Sequence, residues 1–230
     1  VQQEKTALAQ LWEELKEHRV FLIVIALLGV ATRLWQVWEP SLWMDEIAIH
    51  REAYNDEYSA ISYYTHIVHL EIVGFFMHLF GRNEFGLRFY GALTGGLSIP
   101  LVYVWARWMF NNTIAQVAAL FALANSFLLI YAQDGNYYGS MTFFTAVMLC
   151  AYALFFRGAP HTAMGLWIVA AGLAYKTHPV MGIPIVVIGG GMLVGALLFP
   201  ELRRLTLTVK PPEWKTRPLV PVLAVLLILF

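Results

Sequence analysis

Long apolar runs separated by short polar stretches fix what this chain can fold into. Residues 20–38, 85–108, 114–132, 138–156, 163–175 and 179–199 each read as one helix, and a seventh run begins near Leu219 and reaches Phe230. A membrane-crossing helix needs about 20 mostly apolar residues, because in lipid every backbone polar group must be satisfied inside the segment. Only 13% of residues are charged, against about 25% in soluble domains, and mean hydropathy is +0.62. The expected fold is an all-α, multi-pass membrane protein of about seven spans. Net charge is zero, so no nucleic-acid partner is expected. The single cysteine, Cys150, sits in an apolar run, so there is no disulfide framework. No cleavable signal peptide is expected, since the first apolar run is too long and too far from the N-terminus.

Residues 1–19 form a separate unit. Leu8, Leu11, Trp12 and Leu15 recur at spacings of three and four, with charges on the other faces, which predicts an amphipathic helix. Lying along the membrane surface is the preferred reading, and docking on a partner helix is the second. Trp35 and Trp38 give the first span an aromatic belt. Arg33, late in that span, is placed to snorkel or to meet a carboxylate. Residues 39–84 form a polar first loop with a short helix from about Ile47 to Ser59. Residues 66–80 are too short to span and are interrupted by His66, His69, Glu71 and His78, which predicts an interfacial helix. With the N-terminus inside, the cytoplasmic side holds Lys5, Lys16, Arg19, Arg107, Arg157, Arg203, Arg204, Lys210, Lys215 and Arg217. The other five basic residues, Arg33, Arg51, Arg82, Arg88 and Lys176, lie outside or at outer helix ends. That bias is the one the positive-inside rule expects. A spanning 66–80 would turn the basic loop 200–217 outward.

This topology puts three polar stretches on the outer face: Asp45-Glu46, the second outer loop (133–137) with Tyr138 after it, and Lys176-Thr177-His178. Acids, a lysine and a histidine at one membrane surface make a candidate site. Tyr137 and Tyr138 lie at this surface, where aromatic side chains serve mostly as interface belt and helix packing. The histidines 66, 69 and 78 do not share one helical face at metal-ligand spacing. Gly189-Gly190-Gly191 and Gly195 allow close helix contact and, with no strand or lysine beside them, are not a phosphate loop.

The stretches WMDEI, FGRNEFGLRFYGALTGGLSIPLVYVWARWMF, AALFALANSFLLIYAQDGNYYGSMTFFTAVMLCAYALFFR and AYKTHPVMGI, taken in order, resemble the GT-C glycosyltransferases that use a polyprenyl-phosphate sugar donor. The likeness covers about residues 20–200 and is nearest the protein O-mannosyltransferase and lipid A aminoarabinose transferase branch. It implies a GT-C-like transmembrane module over 20–230, last span cut off at 230, with interfacial helices in the first outer loop. It implies transfer of a sugar to a glycan, lipid or protein acceptor on the outer membrane face, the inner membrane if the source is bacterial. By position it implies Asp45, Glu46 and Asp134 as catalytic acids. Lys176, His178, Gln133, Tyr138 and Arg88 become donor-phosphate or substrate-binding residues. Asp45 and Asp134 are the candidate ligands of a divalent ion, Mg or Mn, with no other cofactor implied. Where relatives carry acid, small residue, Arg, any residue, Tyr in the second outer loop, this chain has Asp134-Gly135-Asn136-Tyr137-Tyr138. The His-Pro-Pro-like stretch is replaced by His66-Ile67-Val68-His69. Those departures leave open a second reading, a catalytically inactive GT-C-like scaffold subunit among other membrane subunits. A transporter fits less well, because ionisable residues are scarce at mid-depth in spans two to six.

Overall fold

The computed structural model describes residues 2–55 and 66–198. The basic loop 200–217, the last span and the far end of the first-loop helix lie outside the described residues. The described chain is helical throughout: α1 (Gln2–Glu17), α2 (Arg19–Leu34), α3 (Met44–Asn55), α4 (Ile67–Phe80), α5 (Glu84–Met109), α6 (Asn112–Ala124), α7 (Ser126–Ala132), α8 (Tyr138–Phe156), α9 (Pro160–Thr177), a 3-10 turn (Pro179–Met181) and α10 (Gly182–Leu198).

Two of the described helices, α5 with 26 residues and α8 with 19, are long and apolar enough to cross a membrane. The pair α6–α7, bent by 57°, makes a third if it counts as one span. The run at 114–132 therefore divides at Asn125, whose side chain accepts from the Leu128 N–H at 3.0 Å and caps α7. Arg33 serves this break. It is fully buried and donates to the carbonyl oxygens of Ala122 and Leu123 at 3.0 and 3.1 Å, the groups left open where α6 stops. It neither snorkels nor meets a carboxylate.

α5 is the central element, touching α2, α4, α6, α7 and α8. Small residues set its crossings. A Cβ on Gly29 of α2 would lie 2.6 Å from the Gly96 carbonyl oxygen, and one on Gly96 would lie 2.7 Å from the Val30 backbone. The α4–α5 corner turns through Gly81, at φ 99°, and Asn83 then caps α5 by accepting from Gly86 N–H at 2.9 Å. Of the later glycines, Gly189 abuts Trp167, whereas Gly190 faces open space.

α1 docks instead of lying free. Leu11 is buried in the core shared with Phe144, Met148 and Ala163. Glu14 pairs with Arg107 and Arg157, at the ends of α5 and α8, and Glu4 accepts from the Thr162 N–H. Those basic and amide partners, distant in sequence, give the helix a polar anchor that membrane headgroups would otherwise supply. α1 thus closes one end of the bundle, and the first loop closes the other.

Candidate functional site

Glu46 organises the loop end. It is the third residue of α3, and its Oε2 reaches back to accept from Trp43 N–H at 2.9 Å, half of a capping box. It is wholly buried. Arg88, one turn into α5, grips it with two bonds of 2.7 Å, Nε to Oε1 and Nη2 to Oε2, the strong forked arrangement. Oε1 also accepts from Gly135 N–H at 2.7 Å. Burial alone would raise the Glu46 carboxyl, but Arg88 and the two amides outweigh it and hold it below its ordinary value. Arg88 spends its remaining donors on the carbonyls of Val37, Pro40 and Ser41. The pair therefore ties the end of α2, the first loop, α3, α5 and the second loop into one body.

Gly135 is held from both sides. Its N–H goes to Glu46, and its carbonyl oxygen lies 3.2 Å from His69 Nε2. A Cβ there would approach Leu87 to 2.8 Å and Glu46 Oε1 to 3.0 Å, so the loop needs glycine at this point. On one side of it, Asp134 Oδ1 accepts from the backbone and side-chain nitrogens of Asn136 at 3.0 and 2.8 Å. Burial raises the Asp134 carboxyl above its usual range, against those two bonds, with Glu46 adding to the rise. On the other side, Tyr137 packs against His178 in a tilted arrangement with ring centres 4.0 Å apart and stacks on His66 at 5.4 Å.

The three polar stretches do meet at one end of the bundle, as the span count predicts, but their members have different work. Asp45 is exposed, has no hydrogen bond or ion pair among the described residues, and lines a cavity of about 220 Å³ with Ala48, Glu52, His66, His69, Asn136 and Tyr137. Both Asp45 and Asp134 lie close enough to Tyr137 to act on it electrostatically; burial, Tyr138 and these two carboxylates push its phenol up to about 12. Gln133 donates to the carbonyls of Arg33 and Trp35, closing the end of α2. Tyr138 packs against Tyr131 and Tyr137. Lys176 is exposed in the last turn of α9. His178 Nδ1 accepts from Val180 N–H at 3.1 Å, which leaves Nε2 as its donor. Burial, then the nearby His66, holds His178 below its ordinary value.

Asp45 and Asp134 are the two carboxylates read as ion ligands. Among the described residues no three His, Cys, Asp or Glu side chains gather so as to hold a metal ion, and Asp134 Oδ1 is already committed to Asn136. The described residues do not by themselves make up an ion site, and no step below passes through one.

Of the cavity residues, Glu52 has no role in the sequence reading, where His66 and His69 stand as polar interruptions of an interfacial helix and not as site residues. Glu52 follows Asp45 by seven positions, two turns along α3, a spacing that puts both on one helical face. That signal was present in the sequence. The roles of His66 and His69 depend on packing against a loop some 70 positions away, which no local pattern carries.

A buried ion pair, a pinned glycine loop and a carboxylate without a partner among the described residues, all at one end of an apolar helix bundle, define a helical membrane protein with a polar site at one end. Residues 67–230 match the dolichyl-phosphate-mannose-protein mannosyltransferase family, and the chain belongs to that family of GT-C membrane glycosyltransferases. Membership implies a polyprenyl-phosphate sugar donor and a glycosyl acceptor. The matched range holds Arg88, Gln133, Asp134, Tyr138, Lys176 and His178, and begins after Asp45 and Glu46. No curated protein and no solved structure matches the chain.

Proposed function

We propose that the chain is the catalytic transmembrane module of a glycosyltransferase, of about seven spans, with its N-terminus cytoplasmic and its site on the outer face. Asp45 is the general base. One observation carries this reading: of two adjacent acids, Glu46 has every oxygen engaged by Arg88 and backbone amides, whereas Asp45, at the cavity rim, has no partner among the described residues. A base must have a lone pair for the acceptor's proton.

In the proposed reaction the acceptor hydroxyl oxygen attacks the anomeric carbon of the donor sugar. Its proton passes to the Asp45 carboxylate. The bond from the anomeric carbon to the phosphate oxygen breaks, and the electron pair leaves with the polyprenyl phosphate. Lys176, exposed two residues before His178 and without an ion pair among the described residues, and the His178 Nε2–H would steady that developing charge. Asp134, uncharged more readily than an ordinary aspartate, orients the second loop with Asn136. Glu46, Arg88 and Gln133 position the loops and do not touch substrate.

The inactive-scaffold reading draws on one observation: Asn136, standing where relatives carry arginine, is turned onto Asp134, and Arg88 has no donor left for a phosphate. The deciding experiment uses the purified protein, a polyprenyl phosphate mannose and a candidate acceptor mixture. Asp45→Asn should lower transfer by about 10²–10⁴-fold with an unchanged elution profile. Wild-type protein that shows no transfer with any polyprenyl-phosphate sugar would leave the scaffold reading standing.

A further inference from the structure

The cavity beside Asp45 has polar lining from Asp45, Glu52, His66, His69, Asn136 and Tyr137. Its volume, about 220 Å³, is below the roughly 300–1,000 Å³ of pockets for drug-sized ligands, so it suits one ring and not a chain of them. Its charge is one-signed. Among the described residues no lysine or arginine lines it, and neither Asp45 nor Glu52 has a hydrogen bond or ion pair. A phosphate would meet two carboxylates and no cation there.

His69 supplies the sharpest detail. It is 1% exposed, and its Nδ1 has no hydrogen-bond partner among the described residues. Nε2 faces the Gly135 carbonyl oxygen, which can only accept, so the ring proton belongs on Nε2 and Nδ1 is a bare acceptor. A buried acceptor without a donor is costly, and a hydroxyl is a group that satisfies it. Opposite kinds of surface complete the set: the Tyr137 ring is backed by His178 and flanked by His66, a rigid aromatic wall. Carboxylates, an amide, an imidazole acceptor and an aromatic face together match the hydroxyls and the C–H face of a sugar.

We propose that this cavity receives the sugar ring of the lipid donor, with Glu52 and His69 accepting from its hydroxyls and the donor phosphate held outside, on the Lys176 side. This rests on the transferase reading above. It divides the donor between two places of opposite charge, so that the anomeric carbon lies between them, next to Asp45.

The test measures binding, not turnover. The whole purified protein in detergent is titrated with bare polyprenyl phosphate and with the same lipid carrying mannose, glucose or arabinose. At least one sugar lipid should bind wild type more tightly than the bare lipid. Glu52→Gln and His69→Phe should each shrink that preference by about tenfold, the loss of one hydrogen bond to a charged or buried group, and leave bare-lipid binding unchanged. Lys176→Ala should weaken both lipids alike. Ala48→Phe, from an exposed position on the cavity wall, should abolish the preference even if the His69 variant fails to fold. A preference that survives Glu52→Gln and Ala48→Phe, or no preference for any sugar lipid over bare lipid, would overturn the proposal. If neither lipid binds at all, the transferase reading falls with it.

Discussion

A carboxylate whose oxygens accept four hydrogen bonds has nothing left for a substrate proton, and this separates Asp45 from Glu46 despite their adjacency. The separation is measurable in stability as well as in activity. Glu46→Ala strands the Arg88 guanidinium in a buried site, a loss of about 3–5 kcal/mol for a broken buried pair. Asp45→Asn, at an exposed position without partners among the described residues, should stay within about 0.5 kcal/mol of wild type. Thermal unfolding in detergent checks both; comparable losses at the two positions would contradict the assignment. His69 adds a pH signature. Burial above all, with the Gly135 carbonyl opposing it and His66 and His178 adding to it, lowers its imidazole to about 4. The unfolded chain, at its ordinary value of about 6.5, binds the proton first, so the neutral ring contributes stability that is fully present above about pH 6.5 and lost as pH falls toward 4. The His69→Gln variant should lose stability less steeply than wild type across that window. Unfolding midpoints at a series of pH values read the difference.

At the scale of elements, glycine positions divide sharply by what surrounds them. Gly96→Ala drives a methyl into the Val30 backbone at the α2–α5 crossing, where neither helix can yield cheaply, and should destabilise by about 1–3 kcal/mol. Gly190→Ala and Gly165→Ala meet nothing within 4 Å and should be neutral or stabilising by up to about 1 kcal/mol, as expected for glycine in a helix. Equal effects at Gly96 and Gly190 would refute the crossing geometry. The helices themselves were largely legible. The run 138–156 is α8 to the residue, and 66–80 is the short helix its length and polar interruptions require. The break at Asn125 was passed over because apolar residues continue on both sides, although an Asn-Ser pair inside such a run is a helix-start signal. The site was legible only in outline. Counting spans brings Asp45, Asp134 and His178 to one surface, but it cannot reveal that Arg88 and Gln133 are consumed by carbonyls far along the chain. Nor does it distinguish a capping acid from a free one, since Glu46 finds Arg88 across 42 positions.

For the whole molecule, the two ends of the bundle carry different chemistry. One end holds Glu14 with Arg107 and Arg157, and α1 strapped across by Leu11. The other holds the Glu46–Arg88 pair, the pinned loop and the cavity. Because α5 and α8 run between these ends and are long and apolar enough to cross a membrane, the two groups belong on opposite sides of it. In the proposed orientation the α1 end, on the side with the excess of basic residues, lies in the cytoplasm. Two exposed tryptophans report on this: Trp12 on α1 is 59% exposed, and Trp43, just before α3, is 73% exposed and bonds to Glu46 through a backbone N–H that a cysteine keeps. In a Cys150→Ala background, Trp43→Cys should react with a membrane-impermeant maleimide added to intact cells. Trp12→Cys should react only after the membrane is opened. The reverse pattern would place the site on the cytoplasmic face and require a donor whose sugar faces inward. Labelling of both from one side would mean that α5 and α8 do not cross the membrane together, and the bundle would then need another set of spanning helices to separate its ends.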